Sequence, residues 1–321
     1  MLPSFKAKRV LGDIMETKKS NILLVVFLVI FVLAIVAVFG CLIYKAIGSI
    51  DNGKTNVAII PVKGIIVSSD PGGLLNDFVV SSQIIEKIEM AEEDPTIDAV
   101  LFEINSPGGS AVASDEIGQA IKKLKKANKT IVAWIREVGA SGGYWIASNS
   151  DHIIANRMSF TGSIGVIASY LDFSGFIEKH DVTYQRMVAG EHKDMGSPFK
   201  ELSKEEENIF QEQLNQIHEY FIAEVAENRK LTEEQVKEFA DGSGILGIKA
   251  FKLGLVDELG GKDEAEAYFN EKFGEEINFI YYSDPSSFFD IFSGVISKHG
   301  FNVGNGIGKA LVSQQDSLIQ T

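Results

Sequence analysis

The run Gly139-Ala-Ser-Gly-Gly-Tyr-Trp145 places one hydroxyl, that of Ser141, among small residues directly after the apolar stretch Thr130-Ile-Val-Ala-Trp-Ile135. A serine between a strand and a helix sits at the helix mouth, where unpaired N–H groups and the positive end of the dipole gather. Such a serine is suited to attack an acyl carbon, with the N–H of Gly142 as a donor to the oxyanion. Glycines flank it as Gly139 and Gly143, satisfying the loose G-x-S-x-G pattern. That pattern is short, and a tight turn against a sheet is the competing reading. Two further glycine-rich loops follow strand-like runs: Asn105-Ser-Pro-Gly-Gly-Ser110 and Phe160-Thr-Gly-Ser-Ile-Gly165. They bring rival serines, Ser106, Ser110 and Ser163. The first also offers Gly108 or Gly109 as a second oxyanion donor, with the choice between them open.

A nucleophilic serine needs a base. The chain has five histidines. His152 opens a strand-like run, His180 ends a helix, His218 lies on a long helix and His299 falls in the tail. His192 alone stands in a suggestive loop, Ala189 to Ser197, and its neighbour Lys193 offers another solution. A lysine becomes a general base when burial favours its neutral form. Ser–Lys pairs are a variant of the triad logic. A lone lysine in a glycine-flanked loop equally fits a solvated charge, and spacing does not show that Lys193 reaches Ser141.

Strand-like and helix-like stretches alternate from residue 57 onward. Strands are expected over 57–67, 97–104, 130–135, 151–156 and 182–188, and helices over 81–93, 114–127, 141–148 and 172–180. This alternation implies right-handed crossovers and an α/β fold with a mostly parallel sheet, whose loops converge at the carboxyl ends of the strands. A long amphipathic helix is expected over 203–230, a capped helix from Thr232 and another helix over 262–273.

The 321 residues carry a net charge of −14, with 45% hydrophobic and 23% charged residues. This is a globular composition without the clustered Lys and Arg of a nucleic-acid surface. The one basic run, Lys122 to Lys126, reads as the solvated side of a helix. A single cysteine, Cys41, excludes an internal disulfide. No P-loop and no metal-ligand spacing is present, so no cofactor and no metal is expected.

Ile22 to Tyr44 carries no charge. As a helix at 1.5 Å per residue it would cross a hydrocarbon core of about 30 Å. Lys6, Lys8, Arg9, Lys18 and Lys19 precede it, which keeps the N-terminus in the cytoplasm and sends the rest across. A cleaved signal would have a shorter apolar core and a small-x-small exit. Val38-Phe39-Gly40-Cys41 approaches a lipoprotein signal, but Phe39 is bulky and apolar residues continue beyond Cys41. The expected organisation is a cytoplasmic segment 1–20, a transmembrane anchor 21–47, a linker 48–55, a catalytic-candidate α/β domain 56–283 and a tail 284–321.

Five motifs occur in a telling order: Asn105-Ser-Pro-Gly-Gly109, Ala140-Ser-Gly-Gly-Tyr144, Thr161-Gly-Ser-Ile-Gly165, His192-Lys-Asp-Met-Gly-Ser197 and Gly254-Leu-Val-Asp-Glu-Leu-Gly-Gly261. The chain resembles the short, single-repeat form of the bacterial signal peptide peptidase A family over roughly residues 56 to 270. The segment Gly242-Ser-Gly-Ile-Leu-Gly247 departs from the family, which often has an aromatic or basic residue there. The resemblance implies a crotonase-like or Clp-protease-like fold and a ring-shaped homo-oligomer with active sites facing an enclosed space. It implies Ser141 as nucleophile, Lys193 as general base and Ser163 as the residue orienting the lysine. Gly142 with Gly108 or Gly109 would form the oxyanion hole. Cleaved signal peptides and unfolded apolar peptides would be the substrates, with the catalytic domain on the extracytoplasmic face of the bacterial cytoplasmic membrane. Two other readings remain at this stage: a crotonase-type acyl-CoA enzyme, and an inactive membrane-bound scaffold for peptides.

Overall fold

The computed structural model describes residues 28–40, 54–70 and 78–282. Helix α1 covers 28–40, inside the expected span 22–44. Among the described residues no helix is long and apolar enough to cross a membrane. The rest of that span, the segment 1–20, nearly all of the linker and the tail 284–321 lie outside the described residues.

The chain divides into two compact units at Lys54/Thr55. The second unit is built on a parallel sheet. Strands β1 (Thr55–Lys63), β4 (Ala99–Ser106), β5 (Thr130–Ala140), β6 (His152–Ala155), β9 (Glu258–Leu259) and β10 (Ile277–Tyr281) lie in the order β10-β1-β4-β5-β6-β9, with every pairing parallel. Beyond Ile135, β5 leaves β6 and pairs with β7 (Phe160–Gly162), which pairs antiparallel with β8 (Gly244–Leu246). A two-stranded sheet of β2 (Ile65–Val67) and β3 (Phe78–Val80) lies apart from the main one. The α/β class and mostly parallel sheet expected from the alternating pattern are what the chain adopts.

Central strands bury both faces and therefore read as continuous apolar runs. Ile60, Phe102, Ile104, Ile131 and Ile135 belong to the larger core. It is shared with α2 (Ser81–Glu93), α3 (Ala111–Lys126), α4 (Gly142–Ser148) and α6 (Lys204–Arg229). The alternate residues Val57, Ile59, Leu101 and Val132 pack under Ala265 and Phe269 of α9 (Lys262–Phe273). Short helices α5 (Ser174–Lys179), α7 (Glu233–Lys237) and α8 (Gly247–Lys252) complete the unit.

One expected element is absent. Residues 182–188 form no strand: Val182, Tyr184, Met187 and Val188 are exposed, Met187 by 94%. The apolar pattern there has no sheet edge to pair with. It lies instead on an arm, residues 166–203, that leaves the domain after β7 and returns at the start of α6. Ile167, Leu171 and Phe176 are exposed on the same arm.

Candidate active site

Ser141 joins the end of β5 to the start of α4, with φ 52° and ψ −123°. Non-glycine residues avoid that conformation, and where it persists the surroundings enforce it. Here they do. The Ser141 N–H donates to the Gly162 carbonyl at 2.8 Å, and the Ser141 carbonyl accepts from the amides of Tyr144 and Trp145, both at 2.9 Å. Every residue of α4 is buried. Its first two must be glycine: a Cβ on Gly142 would stand 2.2 Å from Ser114 Oγ, and one on Gly143 2.7 Å from the Ser106 carbonyl. The Ser141 hydroxyl itself makes no hydrogen bond among the described residues.

The rival serines have structural tasks. Ser106 is fully buried; its hydroxyl donates to the Gly64 carbonyl at 2.6 Å and accepts from the Gly108 N–H at 3.1 Å. Ser110 caps α3 by accepting from the Ala113 amide. Ser163, also at positive φ, donates to the Gly242 carbonyl at 2.9 Å. A hydroxyl whose proton is engaged in this way keeps a lone pair for an incoming donor.

Gly108 and Gly109 differ in a way their sequence does not reveal. Gly108 presses against the nucleophile turn, since a Cβ on it would lie 2.6 Å from the Gly142 nitrogen and 2.9 Å from Ser141 Cβ. Its own N–H is taken by Ser106. Gly109 has both neighbours held by strand β2: Ile66 N–H donates to the Gly108 carbonyl and Ser110 N–H to the Ile66 carbonyl. Among the described residues the Gly109 N–H has no such partner, and Gly109, unlike Gly108, lines the cavity that Ser141 opens into.

That cavity has a volume of about 840 Å³. One side carries Ser141, Gly142 and Gly109; another carries Ser163 and Gly165; the wall is the α6 face of Leu214, Ile217, His218 and Phe221, with Trp145 beside Phe221 at 4.8 Å between ring centres. His218 was legible only as a residue of a long helix. Its spacing of four from Leu214 put it on the apolar stripe, but which cavity that stripe walls is a tertiary matter. Its Nε2 faces the Ile164 carbonyl at 3.2 Å, an acceptor only, so this nitrogen carries the proton and ties down the 163–165 loop. His152 stacks on Tyr268 and pairs with Glu258, and His180 packs on Phe176, so neither joins the site. His192 lies 3.8 Å from Glu205. His299 lies outside the described residues.

Lys193 is not among the residues lining the Ser141 cavity. It is exposed on the arm, and its amine makes no hydrogen bond or ion pair among the described residues. Its neighbour Asp194 is firmly held: the Arg186 guanidinium bonds its carboxylate and, with Lys200, keeps its pKa down at about 2. Glu206, bonded by Lys200 and by the Ser203 amide, is likewise held at about 2. Within one chain, therefore, nucleophile, candidate oxyanion donors and Ser163 converge on one cavity, while the lysine stands elsewhere. Among the described residues no group of three or more His, Cys, Asp or Glu is placed to hold a metal ion.

A serine on a strained strand-to-helix turn, with free amides beside it and a cavity in front, defines the class of serine hydrolases that act on acyl groups. The profile of Peptidase family S49 matches residues 123–274. The chain is 40% identical over 215 residues to a protein named as a protease in Synechocystis, covering 67% of this chain and 73% of that one. It is 32% identical over 235 residues to a protein named as a protease in Methanocaldococcus jannaschii, covering 72% and 74%. A protein of Enterococcus faecium named as a signal peptide peptidase, SppA, is 36% identical over 220 residues; the match spans 68% of this chain and 64% of that relative. The chain belongs to peptidase family S49, as the five ordered motifs had implied.

Proposed function

We propose that this protein is a membrane-anchored serine endopeptidase with a Ser141–Lys193 dyad, which degrades residual signal peptides and other apolar, extended peptides at the extracytoplasmic face of the membrane. The observation that carries this reading is the turn at Ser141. Its hydroxyl and the N–H groups of Gly142 and Gly109, all without a hydrogen-bond partner among the described residues, share one cavity with an apolar wall. The mostly parallel sheet fits a Clp-protease-like domain, and the charge-free stretch Ile22 to Tyr44 supports the anchor.

Lys193 belongs to this reading through a second copy of the chain. The arm that carries it exposes Ile167, Leu171, Phe176, Val182 and Met187, an apolar surface suited to a neighbouring protomer in a ring. Docking there would remove the amine from water and favour its neutral form, as a base requires. The neutral amine takes the Ser141 proton as Oγ bonds to the peptide carbonyl carbon. The oxyanion accepts from Gly142 and Gly109, and Ser163 steadies the amine through its remaining lone pair. The ammonium then protonates the departing amine, the C–N bond breaks, and water repeats the sequence on the acyl-enzyme. The Trp145, Phe221 and Leu214 wall suits an apolar side chain beside the scissile bond.

Ser141→Ala and Lys193→Ala should each abolish hydrolysis of an apolar peptide while leaving the assembly size unchanged in sedimentation. Hydrolysis retained by either variant would remove the dyad.

A further inference from the structure

Lys193 stands in a run of tight turns, closed by hydrogen bonds that the amides of Lys193, Met195 and Ser197 donate to the carbonyls of Gly190, His192 and Asp194 at 3.2, 3.1 and 3.0 Å. One guanidinium straddles that run. Arg186 Nη2 donates to the Glu191 carbonyl at 3.0 Å, on one side of the lysine, and to Asp194 Oδ1 at 2.9 Å on the other; its Nε donates to Asp194 Oδ2 at 2.6 Å. Such a two-pronged contact fixes direction as well as distance. Asp194 also lies 3.4 Å from the Lys200 amine, which pairs with Glu206 at 2.5 Å. Glu206 is the capping-box residue of α6, the helix that walls the Ser141 cavity.

The carboxylate next to Lys193 in the chain is thus engaged on both oxygens and only 11% exposed. The other charged or titratable groups around the turn are Glu191 and His192 from the turn itself, Tyr184 beside Arg186, and Lys200, Glu205 and Glu206 from the returning arm and the start of α6. His192 faces Glu205. A carboxylate released beside an amine would stabilise its charged form, and a charged amine accepts no proton.

We propose that Arg186 is a positioning residue for the Ser–Lys reaction: it braces the Lys193 turn and withholds the Asp194 carboxylate from the lysine, leaving the base without a counter-ion. The inference rests on Lys193 being the base. Arg186 touches neither substrate nor the reacting atoms; it acts through Asp194 and the turn.

The test is the pH dependence of kcat/KM for a fluorogenic apolar peptide, measured on the full-length assembled protein. Arg186→Met leaves Asp194 only its 3.4 Å contact with Lys200 and removes the guanidinium that withholds it from the lysine, so the acid limb, where activity rises as the base loses its proton, should move to higher pH by about one unit. Arg186→Met combined with Asp194→Asn should bring the limb back towards the wild-type position, and Asp194→Asn alone should not raise it. A merely structural brace would lower kcat in all three and leave the limb in place, which would overturn the proposal, as would a double variant no closer to wild type. Should Arg186→Met fail to assemble, Arg186→Lys keeps a charge but loses the two-pronged bond. A smaller upward shift supports the proposal and an unmoved limb overturns it. Failure of the underlying reading looks different: Lys193→Ala would then retain hydrolysis with the wild-type profile.

Discussion

The N–H of Ser141 donates to the carbonyl of Gly162 at 2.8 Å. That bond ties the turn of the candidate nucleophile to the end of β7, one residue before Ser163. It explains how a serine is kept at φ 52° and why β5 continues past Ile135 to meet β7. Two glycine-rich loops separated in the chain by α4 and β6 are thereby fixed around one hydroxyl.

A strained serine should reveal itself when replaced. Residues in such regions cost on the order of 1–3 kcal/mol. Glycine relieves that strain but adds about 0.5–1 kcal/mol of backbone entropy loss on folding. Ser141→Gly should therefore be more stable than Ser141→Ala by about 1 kcal/mol, with both inactive. Urea unfolding of the two variants decides it; equal midpoints would mean the turn stores no strain.

Gly108 tests the oxyanion geometry without replacing either residue proposed to donate to the oxyanion. A Cβ there meets the Gly142 nitrogen at 2.6 Å and the Ala140 carbonyl at 2.9 Å, at a φ of +97°. Gly108→Ala should push the Gly142 amide away from Ser141 and lower kcat by about 10²-fold, the scale of losing one donor. Circular dichroism should show a folded protein. Wild-type kcat in that variant would remove Gly142 from the hole.

Two dead variants should repair each other if the lysine arrives from a neighbour. In mixed rings, a Lys193→Ala protomer supplies Ser141 and a Ser141→Ala protomer supplies Lys193. Random one-to-one mixing should restore about a quarter of the wild-type sites at heterologous interfaces. Co-expressed, co-purified variants give the readout, and no activity above that of the separate variants would place the dyad within one chain.

The arm's charge network should also shape acid stability. Asp194 and Glu206 are both held at about 2 in the folded chain, by Arg186 and by Lys200 respectively. Unfolded carboxyls titrate near 4. The folded values are the lower ones, so their stabilisation is present above about pH 4.5 and is lost as pH falls towards 2. Asp194→Asn combined with Glu206→Gln should show a smaller loss of denaturant stability between pH 5 and pH 2.5 than wild type. Parallel losses would sever the link.

Much of the frame was legible because it is local. Apolar runs marked the buried parallel strands, the Thr232–Gln235 capping box marked α7, and helical spacing over 262–273 marked α9 with its observed ends. The small strands β7 and β8 escaped notice, since three residues carry no usable period. Residues 182–188 misled for the opposite reason: their composition favours a strand, but no sheet edge lies beside them.

At the site, the chain's own order of strand, small residues and helix made Ser141 a candidate beside Ser106, Ser110 and Ser163, because a helix mouth after a parallel strand is a short-range arrangement; the five ordered motifs, through the family resemblance, favoured it over the others. Favouring Gly109 over Gly108 as the candidate second donor required knowing that Ser106 occupies the Gly108 amide. The role of His218 required knowing which loop faces α6, and the brace on Lys193 required the fold of the arm. Each of these turns on which donor meets which acceptor across tens of residues, and such pairings are set only when the packed core brings distant segments within about 3 Å.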